Sequence, residues 1–298
     1  KVLVSPHDRV LSKKEVIAMG KGSEALLCLL TDTIDGKVMD GIGSQLKVIA
    51  NYAVGFDNID LKAAKERNII VTNTPGVLTE TVAEHAVALL FALARRVVEA
   101  DRFTRKGKYK GWAPMLLLGT GIAGKTLGIV GMGRIGGEIA KRMNGAFGMN
   151  VIYYDKFRNK EMEKELGVLY VSLEKLLKTS DFVSLHVPLL PSTYHLISSK
   201  ELSIMKKTSC LINTSRGPII DEKALKEALE SGRIRSAALD VFEFEPKLVP
   251  GLSKLENVIL TPHIASATEE TRGKMAEIAT QNIIAVLEGK TAPNEVRT

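Results

Sequence analysis

From residue 126 onward, four stretches of the chain carry residue types that can bind a dinucleotide and act on a carbonyl acid. The first is the glycine-rich run TLGIVGMGRIG at 126–136. It is followed by NTSRG (213–217), LDVFEFEP (239–246) and TPHIAS (261–266), which supply an arginine, a glutamate and a histidine. A guanidinium binds a carboxylate, and an imidazole exchanges a proton near neutral pH. A cation, an acid and an imidazole beside a dinucleotide motif indicate hydride chemistry on a carbonyl acid.

Three glycines of the first run have the spacing of a dinucleotide-binding turn between a buried strand and a helix. Gly131 allows a tight turn, Gly133 lets the backbone approach a pyrophosphate, and Gly136 allows close packing of the helix on the strand. The helix is expected to begin near Ile135, and its N-terminus favours the phosphate charge. Arg134 lies in the loop, where its side chain could reach the pyrophosphate.

An acidic residue, Asp155, ends the next expected strand, 19 residues after Gly136. Its carboxylate would accept hydrogen bonds from the adenosine ribose of NAD and would repel the 2′-phosphate of NADP. Lys156 and Arg158 follow, and either could turn toward a phosphate. The sequence therefore favours NAD and leaves NADP open.

Short apolar runs alternate with amphipathic helices along the chain, a pattern typical of parallel βαβ units. The fold class expected is α/β, with a Rossmann-type doubly wound parallel sheet inserted into a smaller flavodoxin-like α/β substrate domain. Strands of the larger sheet are expected at 127–130, 151–154, 168–171, 182–187, 210–213, 237–241 and 258–260. Those of the smaller set are expected at 2–4, 25–30, 46–51 and 69–73.

Two long helical patterns suggest how the domains are divided. One runs from about 79 to 106 and is expected to connect the domains, and the other, at 268–288, could return to the first domain. The predicted substrate-binding domain is therefore discontinuous, at 1–94 plus 268–298. The NAD-binding domain would occupy 95–267.

The bulk composition is that of an ordinary globular protein, with 298 residues, 45% hydrophobic residues and a formal charge of +7. Basic residues are interleaved with acids, so the charge indicates a solvated surface and no nucleic-acid partner. Cys28 and Cys210 lie in apolar runs, as expected of buried thiols in a reducing, cytoplasmic protein. The longest apolar stretch, at 86–94, is too short to span a membrane, and no signal peptide or metal-ligand spacing is recognised.

These motifs together resemble the D-isomer-specific 2-hydroxyacid dehydrogenase family. The resemblance spans most of the chain and includes NYAVGFDNID (51–60), GKTLGIVGMGRIG, SLHVPLLPST (184–193), INTSRGPIID (212–221), ALDVFEFEP and LTPHIAS. The stretch at 51–60 is most similar to the glyoxylate/hydroxypyruvate reductase branch. The resemblance implies an NAD-dependent enzyme that transfers a hydride to or from a small 2-oxo or D-2-hydroxy acid.

By this resemblance, three residues form the catalytic group. His263 would donate the proton to the carbonyl oxygen, and Glu245 would stabilise the protonated imidazole. Arg216 would bind the substrate carboxylate and polarise the carbonyl. Taken singly, each has an ordinary explanation as a turn or surface residue. His85 and His186 are expected to be structural or to support the site residues without touching the ligands, and His7 and His195 are expected to lie at the surface.

The resemblance also implies the remaining binding residues. Backbone N–H groups around Val54 and Gly55 would bind the substrate carboxylate, and Asp240 would contact the nicotinamide carboxamide. The other cofactor contacts implied, besides the glycine-rich turn, Asp155, Arg216 and His263, are Val187, Pro188, Thr214, Ser215, Ala265 and Ser266.

The long helix and the segment KYKGWAPMLLLG (108–119) resemble the family's dimer arm, so a homodimer through 79–118 is expected. Two departures stand out: the first domain shows one βα unit before ALLCLL where the family has two, and no regulatory extension follows Val296. Alternative functions are a phosphoglycerate dehydrogenase-like enzyme and an NAD-sensing corepressor-like protein. A formate dehydrogenase-like activity is disfavoured, because those enzymes carry glutamine where Glu245 stands.

Overall fold

The computed structural model describes residues 1–296. The strands are β1 (Ala25–Cys28), β2 (Val48–Asn51), β3 (Ile70–Thr72), β4 (Thr126–Val130), β5 (Asn150–Tyr154), β6 (Leu169–Tyr170), β7 (Phe182–Leu185), β8 (Cys210–Asn213), β9 (Ser236–Leu239) and β10 (Val258–Leu260). The α-helices are α1 (Lys13–Gly20), α2 (Gly36–Ile42), α3 (Leu61–Glu66), α4 (Thr79–Arg95), α5 (Val97–Arg105), α6 (Arg134–Phe147), α7 (Lys160–Leu166), α8 (Leu173–Thr179), α9 (Ser199–Ile204), α10 (Glu222–Glu230) and α11 (Glu269–Leu287). Strands and helices alternate along the chain, and the predicted α/β fold class is confirmed.

The chain divides into two compact units, one formed by residues 1–78 with the segment from Thr268 onward, the other by Thr79–Ala267. The predicted boundary at residue 94 is therefore misplaced by the length of α4. This helix buries Leu90 and Leu93 in the same apolar cluster as Leu127 and Ile129 of β4, so it belongs to the second unit.

The first unit contains a three-stranded parallel sheet in the order β1-β2-β3, packed against α11. The expected strand at 2–4 is absent from the described structure, where Val2, Leu3 and Val4 are 86%, 61% and 80% exposed. A strand needs a neighbour for its backbone N–H and C=O groups, and β1 pairs only with β2 among the described residues.

The second unit is built on a seven-stranded parallel sheet in the order β10-β9-β8-β7-β4-β5-β6. Strand β4 pairs with β5 on one side and with β7 on the other, so the strand order reverses at β4. In an open α/β sheet, ligands bind at this switch point, outside the carboxyl ends of the strands. Strands β7, β8 and β9 are buried along their whole length, as expected of a sheet covered on both faces.

The helical pattern predicted at 79–106 forms two helices instead of one. Arg96 separates α4 from α5 in a left-handed conformation with φ 54°. The carbonyl of Ala94, near the end of α4, accepts a hydrogen bond from the N–H of Thr120 (2.7 Å), outside the helix. Among residues 1–296, no helix combines the length and apolar character needed to cross a membrane.

Candidate active site

The glycine-rich turn joins β4 to α6 at the switch point of the larger sheet. Gly131 has φ 98°, and a Cβ there would lie 2.7 Å from the backbone of His186. A Cβ on Gly136 would lie 2.1 Å from the carbonyl oxygen of Gly131, so the start of α6 packs closely against the turn. A Cβ on Gly133, in contrast, would meet no atom within 4 Å. The turn is therefore packed at its first and third glycines and open at the second.

The open glycine is also the N-cap of α6, where no side chain caps the helix. The helix begins at Arg134, one residue before the expected Ile135, and the Arg134 side chain is exposed. Uncapped N–H groups and the helix dipole favour an anion at this position. The arrangement fits a dinucleotide pyrophosphate.

Asp155 directly follows β5, beside the turn. Its Oδ2 accepts a hydrogen bond from the N–H of Met132 (2.7 Å), and its Oδ1 accepts one from the N–H of Phe157 (3.2 Å). The carboxylate thus braces the glycine-rich turn from the neighbouring strand. It lies where the sequence placed the partner of an adenosine ribose.

Arg158, which could have turned toward a phosphate, forms a two-point ion pair with Glu163. Its Nε and Nη2 each lie 2.7 Å from a different oxygen of that carboxylate. Tyr153 adds a hydrogen bond from its hydroxyl to Glu163 (2.6 Å). These contacts, with the arginine as the main cause, lower the pKa of Glu163 to about 2.

Beyond β8, the Asn213 side chain organises the turn that contains Thr214, Ser215 and Arg216. Its Oδ1 accepts hydrogen bonds from the N–H and the hydroxyl of Ser215 (3.0 and 2.7 Å), while its Nδ2 donates to the carbonyl of Arg216 (2.9 Å). Asn213 is fully buried, and sequence reasoning did not identify this role. The hydroxyl of Thr214 is buried without a hydrogen-bond partner among the described residues.

Arg216 lies at the carboxyl end of β8, where its Nη1 donates to the carbonyl of Ser215 (2.9 Å). The next residue, Gly217, is packed against the segment after β9, since a Cβ there would lie 1.9 Å from the backbone of Phe242. This close packing ties the backbone that carries the Arg216 guanidinium to the segment that follows β9.

Asp240, at the end of β9, is fully buried and binds the loop that follows β10. Its Oδ1 accepts from the hydroxyl of Thr261 (2.6 Å) and the N–H of Ile264 (2.9 Å), and its Oδ2 accepts from the N–H of Ala265 (2.8 Å). Nε2 of His85, on α4, lies 3.4 Å from Oδ1. Burial alone would raise the pKa of Asp240, but these partners together outweigh it and lower the pKa.

His263 lies within the loop that Asp240 holds, and it adopts a left-handed conformation with φ 55°. For a residue with a side chain, this conformation costs about 1–3 kcal/mol and persists only where the surroundings impose it. The hydrogen bonds of Asp240 to the two residues after His263 supply that constraint. The strained backbone is therefore that of the residue that carries the imidazole.

The imidazole of His263 contacts the carboxylate of Glu245. Nδ1 lies 3.0 Å from Oε2, and the other carboxylate oxygen accepts from the N–H of Phe242 (2.9 Å). Because a carboxylate only accepts, this contact places a proton on Nδ1 and leaves Nε2 for exchange with a substrate. Both side chains are about one quarter exposed, at 23% and 26%.

Val187 and Pro188 follow β7 along the same edge of the sheet, and Ser266 lies in the turn after Ala265. His186, just before Val187, is bonded to Ser184 (2.7 Å), and burial lowers its pKa to about 3. It is therefore a neutral, structural residue, as expected. Every cofactor residue predicted from the sequence thus lies beyond the carboxyl end of a strand of the larger sheet.

In the first unit, Val54 and Gly55 lie in the loop after β2. The carbonyl of Val54 accepts from Nδ2 of Asn73 (2.8 Å), and that of Gly55 accepts from Nδ2 of Asn51 (2.7 Å). Both carbonyls are held by buried or partly buried asparagines. The loop is a fixed backbone structure within its own unit.

His195 is not the simple surface residue that the sequence indicated. Its Nε2 lies 2.8 Å from Oε1 of Glu243, and its ring stacks on Tyr194 with centroids 4.1 Å apart. The side chain of Glu243 is only 8% exposed. No periodicity or spacing in the sequence distinguishes this pair from ordinary surface residues.

Comparison with known proteins gives consistent results. Residues 87–265 match the model of the D-isomer specific 2-hydroxyacid dehydrogenase family, NAD binding domain. A glyoxylate reductase of Korarchaeum cryptofilum is 57% identical over 288 residues, which are 96% of this chain and 86% of that protein.

Two solved structures extend the comparison. A crystal structure of a protein from Thermus thermophilus has a TM-score of 0.90 and 49% identity, covering 96% of this chain and 90% of that one. An NADPH-dependent glyoxylate/hydroxypyruvate reductase of Sinorhizobium meliloti, solved with NADP and malonate, has a TM-score of 0.84 and 35% identity, covering 92% and 83%.

Proposed function

Because the chain belongs to the D-isomer-specific 2-hydroxyacid dehydrogenase family, we propose that this NAD-dependent dehydrogenase reduces glyoxylate or hydroxypyruvate to the corresponding 2-hydroxy acid. The observation that carries the proposal is the hydrogen bond between His263 and Glu245, on the same sheet edge as the dinucleotide-binding turn. The relatives named glyoxylate reductase support this choice of substrate.

When bound, NADH supplies the hydride that is added to the carbonyl carbon. His263 holds the proton for the carbonyl oxygen on Nε2, because Glu245 occupies Nδ1. As the proton leaves, the imidazole becomes neutral and keeps its Nδ1 proton in the hydrogen bond to Glu245. In the oxidative direction, the same Nε2 accepts the proton from the hydroxyl group.

Arg216 binds the substrate carboxylate in this proposal, since a guanidinium presents two parallel N–H donors to a carboxylate. The backbone N–H groups around Val54 and Gly55, in the first unit, keep their proposed role in binding a substrate carboxylate. No lysine or arginine occurs between 51 and 60, which favours an unphosphorylated substrate over 3-phosphohydroxypyruvate.

We further propose a preference for NADH over NADPH. Asp155 presents a carboxylate where a 2′-phosphate would bring like charge. Two neighbouring cations could neutralise that phosphate. Arg158 is paired with Glu163, and Nζ of Lys156 lies 5.4 Å from the ring centroid of Phe157. Family membership alone does not decide the nucleotide, because the Sinorhizobium meliloti relative is NADPH-dependent.

A homodimer through residues 79–118 is also proposed. Trp112, Met115 and Leu118 are 84%, 75% and 53% exposed and lie within the segment 108–119. An apolar patch of this kind promotes association if it stays in water, and a second copy of the chain would cover it. Cys28 and Cys210 are buried free thiols, which supports a cytoplasmic location.

The substrate proposal is tested by following NADH absorbance with glyoxylate, hydroxypyruvate, pyruvate and 3-phosphohydroxypyruvate. Oxidation of NADH is expected with the small unphosphorylated acids, and the chiral products should be the D isomers. NADH binding without oxidation by any of the four acids would reject the proposed activity in favour of an NAD-sensing role. A preference for the phosphorylated acid would instead indicate a phosphoglycerate dehydrogenase-like enzyme.

A further inference from the structure

One buried carboxylate holds both ends of the turn that carries Glu245. Glu222, the first residue of α10, is only 2% exposed. Its Oε2 accepts a hydrogen bond from the N–H of Glu243 (2.9 Å), and its Oε1 accepts one from the N–H of Val249 (2.7 Å). The two ends of the segment 243–249 therefore bind the same side chain, and Glu245 lies between them.

Glu243 completes the arrangement from the turn itself. Its Oε2 accepts from the N–H of Glu222 (3.2 Å), and its Oε1 faces Nε2 of His195 (2.8 Å). The N–H of His195 in turn donates to the carbonyl of Pro218 (2.8 Å), two residues after Arg216. The network thus joins the backbone segments that carry Arg216 and Glu245.

Two largely buried carboxylates this close together are unfavourable unless their oxygens are satisfied, because burial penalises a charge and like charges repel. Here both oxygens of Glu222 and one of Glu243 accept from backbone N–H groups. Glu222 also benefits from the positive end of the α10 dipole. Glu245 is partly exposed, so the position of its carboxylate depends on the backbone of the turn.

We propose that Glu222 is a positioning residue, which holds the turn so that Glu245 keeps its hydrogen bond to Nδ1 of His263. This inference rests on the proposed function, because it gives Glu222 a role in the turnover assigned to His263. Glu222 acts through the backbone N–H groups of Glu243 and Val249, at the two ends of the turn.

The two carboxylates should differ in their tolerance of an amide, and this difference makes the proposal testable. Both oxygens of Glu222 accept from N–H groups, so in Glu222→Gln the amide NH2 must face an N–H donor. In Glu243→Gln the remaining oxygen can accept from the N–H of Glu222 while the NH2 donates to His195. The ring accepts that bond when its proton is on Nδ1.

The experiment compares Glu222→Gln, Glu222→Asp and Glu243→Gln in the full-length enzyme, with and without Glu245→Gln. Turnover with NADH and glyoxylate, NADH affinity from fluorescence, and the thermal midpoint are measured for each. The Hε1 resonance of His263, assigned from its loss in His263→Gln, reports the imidazole environment without any turnover. Glu222→Asp keeps the charge at the helix terminus and serves as the variant that folds if Glu222→Gln does not.

Glu222→Gln is expected to lower kcat about 10²-fold, the effect of a displacement near 1 Å at a reacting group, with NADH affinity unchanged. Glu222→Asp should lower kcat in the same direction, and Glu243→Gln should change it less than about twofold. In the Glu245→Gln background, Glu222→Gln should cost less than about twofold more, because the group it positions is already lost.

Full additivity of Glu222→Gln and Glu245→Gln would overturn the proposal, since the two residues would then act independently. Equal losses in Glu222→Gln and Glu243→Gln would do the same. The His263 resonance should shift in Glu222→Gln and Glu222→Asp but stay in place in Glu243→Gln. If the wild-type protein does not oxidise NADH but the His263 resonance of the variants behaves in this way, the positioning role stands and only the proposed function is rejected.

Discussion

Replacing Asp240 by asparagine tests how the His263 loop is held. The carboxylate accepts from Thr261 and from the N–H groups of Ile264 and Ala265, whereas an amide offers one oxygen. With that oxygen toward Ile264, the NH2 faces the N–H of Ala265. With the amide reversed, the NH2 faces Ile264. In either rotamer, one buried N–H of the loop loses its acceptor.

An unpaired buried donor costs about 1–3 kcal/mol, and the surviving bonds lose the strength that a charged acceptor gives. We expect Asp240→Asn to lower the free energy of unfolding by about 2–4 kcal/mol at pH 7. The left-handed conformation of His263 loses its support as well. Turnover should therefore fall about 10²-fold, as for other displacements of a reacting group.

The pH dependence follows from the lowered pKa of Asp240. A carboxyl whose pKa is lower in the folded than in the unfolded state stabilises the fold above the unfolded value, about 3.9. This contribution is lost as the pH falls from there through the folded value. The stability difference between wild type and Asp240→Asn should thus be complete at pH 7 and shrink below about pH 4.

Urea unfolding followed by circular dichroism at pH 7 and at lower pH measures this difference, and NADH oxidation measures turnover. Asp221→Asn is the matched control, because Asp221 caps α10 through the N–H of Ala224 and asparagine is an equally good N-cap. Wild-type stability and turnover in Asp240→Asn would show that the Asp240 carboxylate does not hold the His263 loop. An equal loss in the control would show the same.

Three further predictions concern the cofactor turn, the nucleotide preference and the arm. Gly133→Ala should fold normally yet weaken NADH binding about 5- to 150-fold, because overlap of the added Cβ with the bound nucleotide would cost about 1–3 kcal/mol. Gly136→Ala, whose Cβ would lie 2.1 Å from a carbonyl oxygen, should lower the thermal midpoint; equal melting of the two variants would contradict this. Asp155→Ala should improve the use of NADPH relative to NADH in steady-state kinetics, and an unchanged ratio would remove Asp155 from the adenosine site. Trp112→Glu should convert the proposed dimer to a monomer in analytical ultracentrifugation, and a monomeric wild type at micromolar concentration would reject the dimer.

The sequence predicted the larger sheet well because its strands are short apolar runs separated by amphipathic helices. The stretch DEKALKEALESG (221–232), for example, has an acid at its start and apolar residues at helical spacing, and it forms α10 at Glu222–Glu230 with Asp221 as its N-cap. The strand expected at 2–4 does not form, because a short apolar run does not show whether a neighbouring strand exists to pair with it. The break at Arg96 escapes prediction for a similar reason, since it depends on a carbonyl captured by Thr120, far along the chain.

The candidate site was predictable from the sequence where a short motif fixes its own local backbone conformation. The glycine spacing and the acid after β5 are of this kind. The contacts of Asp240, Asn213 and Glu222 could not be predicted in this way. Asp240 and Glu222 bind backbone groups that are distant in sequence, and Asn213 is a residue type that is common on surfaces. Their importance lies in which backbone N–H or C=O groups they meet, which only the folded chain decides.

The proposed role of His263 as the proton donor for reduction of a bound 2-oxo acid can be measured in His263→Gln. The kcat for glyoxylate reduction and the Kd of NADH are determined on the same preparation. We expect kcat to fall about 10²–10⁴-fold, the usual contribution of a positioned proton donor, with NADH affinity nearly unchanged. Full turnover in the variant, or an equal loss of turnover and NADH affinity, would rule out this role for His263.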